Sequence, residues 1–133
     1  MPVQPFVPEA LEQIQRDAQA LLNGDDALTD SKQRTLITSI EGCTRILLTQ
    51  YRAYAEKLAS PEAWLEEIGY YQTLIPFSWS MLGSIGTSCA AFHLLPNSPP
   101  LSTPQLQRLE AIENNQKAIA LELDRYMHQE WVG

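Results

Sequence analysis

The chain has 133 residues, 44% apolar and 19% charged, a balance that suits one globular domain and excludes a disordered tail. Sixteen acidic against nine basic side chains leave a net charge of −7, which repels phosphate backbones and anionic lipid, so nucleic acid is not expected as a partner. Met1 to Pro8 show neither the positive start nor the apolar run of a secretory signal, and a cytoplasmic protein is expected. Cys43 and Cys89 lie in apolar helical stretches and suit reduced core thiols better than a disulfide framework.

Pro2, Pro5 and Pro8 predict an extended proline-rich arm over residues 1–8, carrying Val3, Phe6 and Val7. A short first helix follows, with Leu11, Ile14, Ala18, Leu21 and Leu22 at helical spacing and Asn23-Gly24 as its stop. Asp30 and Gln33 form a candidate capping box for a long second helix. Its apolar face runs from Leu36 through Ile40, Cys43, Leu47 and Tyr51 to Leu58. Ser60-Pro61 starts a third helix as N-cap and first helical residue, and Pro76 kinks or divides it. The helical pattern then continues to Leu95, where Pro96, Pro99 and Pro100 force a loop. Thr103-Pro104 opens the last helix, whose Leu106, Leu109, Ile112, Gln116, Ile119, Leu123 and Tyr126 recur at steps of three and four up to about Trp131.

No convincing stretch alternates with period two, and the connections are short, so consecutive helices should lie antiparallel. The expected fold is all-α, an up-down four-helix bundle with a short first helix and the third helix kinked at Pro76. Residues 9–133 form its single domain. A globin-like crossing of the same helices is the alternative, because periodicity does not set packing angles.

Between Glu67 and Arg108 the only titratable acid or base other than cysteine and tyrosine is His93. The run from Leu74 to Leu95 approaches bilayer length. Its prolines, serines and threonines, with no flanking cation, point to a helix packed in protein and not to membrane insertion. Gly83, Thr87 and Ala90 form a small-residue stripe expected to lie against a neighbouring helix or, in a homo-oligomer, a second subunit. Leu74, Met81, Ile85 and Phe92 form a bulky stripe.

Cys89 and His93 are four residues apart, close enough to share a metal, and Cys43 and His128 are the residues that would complete a Cys2His2 set. No CxxC or HxxxH pair anchors such a site, so no metal or other cofactor is expected. Glu-x-x-His pairs, Walker loops, GxGxxG and GxSxG are all absent, and Glu110 with Glu113 suits a solvated helix face, so an enzyme is not expected. Arg34, Arg45 and Arg52 share one face of the second helix with Glu41 and Glu56. That pattern is an ordinary salt-laced surface or, with Phe6 of the arm, a contact for a protein partner.

The string Glu66-Glu67-Ile68-Gly69-Tyr70-Tyr71 resembles the acidic residue and Tyr-Tyr pair in the central helix of phycobiliproteins, and Ala18 to Gly24 is similar to an earlier stretch of that family. The likeness covers about a tenth of the chain. Trp64 stands where that family places its bilin-bearing cysteine, and Glu66 where it has a nearby arginine, which implies that no pigment is attached covalently there. The resemblance keeps a globin-like, light-harvesting-associated scaffold as an alternative. The primary expectation is a non-enzymatic helical interaction protein working through helix faces and its arm; the other is a carrier of a metal or apolar molecule near Cys89 and His93.

Overall fold

The computed structural model describes the backbone of residues 6–58 and 74–132 and the side chains of residues 7–53 and 74–125. Four helices account for most of it: α1 (Phe6–Asn23), α2 (Ser31–Leu58), α3 (Ile75–His93) and α4 (Thr103–Val132). Among the described residues there is no strand. The helices close a ring in which α1 packs on α2 and α4, and α3 packs on α2 and α4. Their directions alternate: Arg52 late in α2 meets Glu12 early in α1, and Arg108 early in α4 meets Asp17 late in α1. The all-α, up-down four-helix bundle with a shorter first helix is therefore the fold of this chain.

The last three residues of the arm expected over residues 1–8 are helical instead. α1 begins at Phe6, so Phe6, Val7 and Pro8 are its first turn. Pro8 is tolerated there because the first amides of a helix have no carbonyl to bond to, and losing one of them costs little. Val7 is fully buried, and its burial with Ala10, Leu11 and Ile14 draws the helix start back. Residues 1–5 and the Phe6 side chain lie outside the described residues.

Asn23 ends α1 as expected. The Gly24 amide donates to the Ala20 carbonyl at 2.9 Å, and a Cβ on Gly24 would stand 2.6 Å from that oxygen, so only glycine fits. Arg34 completes this helix end: its Nη1 donates to the carbonyls of Leu22 at 2.7 Å and Leu28 at 2.9 Å. A cation satisfying carbonyls beyond a helix C-terminus also complements the dipole.

Half of the anticipated capping box is present on α2. The Gln33 amide donates to Asp30 Oδ2 at 3.0 Å, but the buried Gln33 side chain donates to the Pro99 carbonyl at 3.2 Å. The reciprocal box occurs instead on α4, where Ser102, not Thr103, is the cap. The Gln105 amide donates to Ser102 Oγ at 3.2 Å, and the Ser102 amide to Gln105 Oε1 at 3.0 Å. Both side chains also bond Asp26, so the turns after α1 and α3 are stitched together at one pole. Asn97 turns the chain there with φ 58°, a left-handed conformation asparagine accepts.

The Ser60-Pro61 start and the first half of the expected third helix, through residue 73, lie outside the described residues. Pro76 sits in the first described turn of α3, and Leu74 before it already has helical angles (φ −69°, ψ −41°); the residues one turn back, which bear on a kink at Pro76, lie outside the described residues. Among the described residues no helix is long and apolar enough to cross a membrane.

The inner side of α3 carries Ile75, Ser78, Leu82, Ile85, Cys89 and Phe92. Ser78 enters the core because its hydroxyl donates to the Leu74 carbonyl at 2.7 Å. Leu74, Ile85 and Phe92 of the bulky stripe are buried and Met81 partly so. The small stripe is a correction: Gly83, Thr87 and Ala90 are exposed and face away from the other described helices. A Cβ on Gly83 would meet nothing within 4 Å. The glycine that admits a neighbour is Gly86, whose absent side chain lets Gln116 of α4 donate to the Leu82 carbonyl at 3.1 Å.

Candidate functional site

Cys89 and His93 sit one turn apart near the end of α3, opposite Glu113 on α4. Cys89 is buried, and its thiol is pushed up from 9.0 to about 11, first by burial and then by the charge of Glu113, with Lys117 opposing. A thiol kept neutral is a poor nucleophile and a poor ligand. His93 is turned to the surface, its ring edge-on to Phe92 and its Nε2 2.7 Å from Glu113 Oε1. Histidine and cysteine therefore point to different environments. Glu113, read from sequence as part of a solvated face, is instead the group that ties α4 to the end of α3; two residues twenty apart leave no periodic signal.

Cys43 is half-buried on α2 and, like Cys89, is a free thiol. The His128 side chain lies outside the described residues. Among the described residues no group of three or more His, Cys, Asp or Glu side chains could hold a metal ion.

The arginine face of α2 divides into two kinds of residue. Arg34 is committed to the carbonyls that end α1. Arg45 lies 3.7 Å from Glu41 one turn back, and Arg52 lies 3.2 Å from Glu12 of α1, with both guanidinium groups largely exposed. Such surface pairs contribute little to stability and stay open to exchange. Arg45 and Arg52 thus retain the availability a partner contact needs, which Arg34 lacks.

Sequence reading missed a buried carboxylate. Asp17 of α1 is 4% exposed and bonded by Gln13 Nε2 at 3.1 Å and Arg108 Nη1 at 3.3 Å, with Arg16 holding the other end of the Gln13 amide at 2.8 Å. Every bond in this network joins groups of the chain itself, and its role is to hold α1 against α4.

The other unanticipated feature is the outside of α3. Phe77 is 38% exposed, Trp79 45% and, just past the helix, Leu94 81%. Between them lie Ser80, Gly83, Ser84, Thr87 and Ala90, all exposed and none charged. An uncharged surface with a tryptophan at one end is costly to leave in water and is the kind of patch that marks protein contacts.

No protein-family model, curated protein or solved structure matches the chain. Of the two stretches that carry the likeness to phycobiliproteins, Glu66 to Tyr71 lies outside the described residues and Ala18 to Gly24 is the end of α1 and its stop.

Proposed function

We propose that this chain is a non-enzymatic helical interaction protein of the cytoplasm, binding a protein partner through the outer face of α3 and using no cofactor or metal of its own. The observation that carries this reading is the exposure of Phe77 and Trp79 on a helix face that bears no charge. Tryptophan anchors contribute strongly to protein interfaces because one rigid side chain buries a large area with little loss of conformational freedom. Ile46 of α2 and Leu106 and Leu121 of α4 are exposed as well, but Arg45, Glu110 and Lys117 stand within a turn of them. Arg45, Arg52 and Phe6 are candidates for contacts beyond that face.

Photo-crosslinking in the native host tests this. With a benzophenone-bearing phenylalanine analogue at Trp79, a defined protein adduct is expected, and with the same analogue at exposed Gln19 of α1, none. Equal labelling from both positions, or none from either, would refute it. A stoichiometric small molecule carried through native mass spectrometry would favour a carrier instead.

A further inference from the structure

We infer that the partner of the α3 face is a second copy of this chain, the two helices packing antiparallel about a two-fold axis at Gly83. This rests on the interaction reading above and names its occupant. Pro76, Ser80, Gly83, Thr87, Ala90 and Leu94 are all exposed and follow one another at steps of four and three, which is the period of a helix-pairing seam.

The seam is divided by size. Trp79 flanks its N-terminal half, and within α3 its C-terminal half carries Thr87 and Ala90, with Gly83 between and Leu94 past the helix end. An isologous contact requires residue i to meet j while j meets i. Trp79 and Thr87 each stand four residues from Gly83, and Pro76 and Ala90 each stand seven. Antiparallel pairing about Gly83 therefore sets Trp79 on the small Thr87 of the partner subunit and Pro76 on Ala90 of the partner subunit, twice over. Parallel pairing would set bulk on bulk and leave the small half open. Nothing stands within 4 Å of where a Gly83 Cβ would be, so a second backbone can approach there.

Charge selects the same occupant. Each copy carries −7, so approach through most faces brings like charges together, whereas Leu74 to Leu95 has no Asp, Glu, Lys or Arg and only His93 at its edge. A strongly charged partner would find nothing on this face to pair with. One helix of about 28 Å per subunit buries less than the roughly 800 Å² a side of a standard interface, so the dimer is reversible.

Sedimentation of the full chain over a range of concentrations tests the inference. The mass of the native protein should rise from monomer toward dimer, and more readily at high salt, because screening relieves repulsion between the two net charges. Gly83→Glu sets two carboxylates at the axis and should weaken association about tenfold or more, while Gln19→Glu should leave it unchanged. Under mild oxidation, Trp79→Cys mixed with Thr87→Cys should form a disulfide-linked heterodimer in preference to either homodimer. A monomer at every concentration, a Gly83→Glu protein that dimerises like the native one, or homodimers favoured over the mixed pair would each overturn the inference. If the native protein stays monomeric while the Trp79 probe captures a different protein, self-pairing fails and the interaction reading stands. If that probe captures nothing, the interaction reading fails as well.

Discussion

Helices α2 and α3 are neighbours in the ring, yet they meet solvent in opposite ways. On α2 the outer side carries Arg45 and Arg52, each opposite a carboxylate; on α3 it carries Pro76, Trp79, Gly83, Thr87 and Ala90, with no charge at all. A charged outer side tells a folding chain, and a reader of its sequence, which way the helix faces. An uncharged one does not, and the inner side of α3 is then selected only by which residues fill the space between α2 and α4.

The largest effect should come from testing which side of α3 is inside. Leu82→Ala, on the fully buried side, should lower unfolding free energy by about 2–5 kcal/mol in urea titrations, whereas Thr87→Ala, on the exposed side, should stay within about 0.5 kcal/mol. Similar losses at both positions would mean the sides are not distinct.

Within α2 the same contrast can be drawn between arginines that share a face. Arg34→Ala leaves the Leu22 and Leu28 carbonyls without their charged donor and should cost about 1.5–3 kcal/mol. Arg45→Ala should cost less than about 0.5 kcal/mol, the usual worth of an exposed pair one turn apart. Equal losses in thermal melts would place Arg34 on the surface with the others.

Cys89 gives α3 an alkaline signature. Its pKa lies near 11 in the folded chain against 9.0 for an ordinary thiol, so above pH 9 the unfolded state releases its proton first and gains stability relative to the folded state. Stability should therefore be unaffected by this group below pH 9 and fall between pH 9 and 11, by about 2 kcal/mol at the upper end. Cys89→Ala should remove that slope in urea titrations run across the range, despite a lower stability overall. An unchanged slope would show that other groups produce it.

The smallest effect sharpens the comparison most. Gly83→Ala adds a methyl group to open space and should stabilise α3 by about 0.5–1 kcal/mol, as alanine does in an exposed helix interior. Gly86→Ala, three residues on, puts its Cβ 3.2 Å from Gln116 Nε2 and should forfeit that gain by pushing the amide off the Leu82 carbonyl. Calorimetry of the two variants in dilute solution reads the difference directly.

Much of the local structure was legible because its causes are local. Asn23-Gly24, Asp30 and the prolines near residues 96–104 mark helix ends through backbone chemistry that acts within one turn. Leu36 to Tyr51 and Leu109 to Leu123 repeat at helical spacing beside charged residues, so their buried sides could be read off. The misreadings share one cause. Phe6 to Pro8 were drawn into α1 by burial of Val7, Gln33 left its own cap for Pro99, and Gly83 turned outward where an inward contact was expected; each was decided by a neighbour distant in sequence.

Sequence by itself determined that this chain is helical, where most described helices begin and end, and that consecutive helices run antiparallel, because propensity, capping and short connections act between near neighbours. Tertiary structure alone decided which side of the uncharged α3 is buried, that Asp17 is closed in by Arg108, that His93 meets Glu113 while Cys89 stays neutral, and that Arg34 is taken by the end of α1. Those outcomes depend on which surfaces meet when four helices close into a ring, and no period within one helix records that.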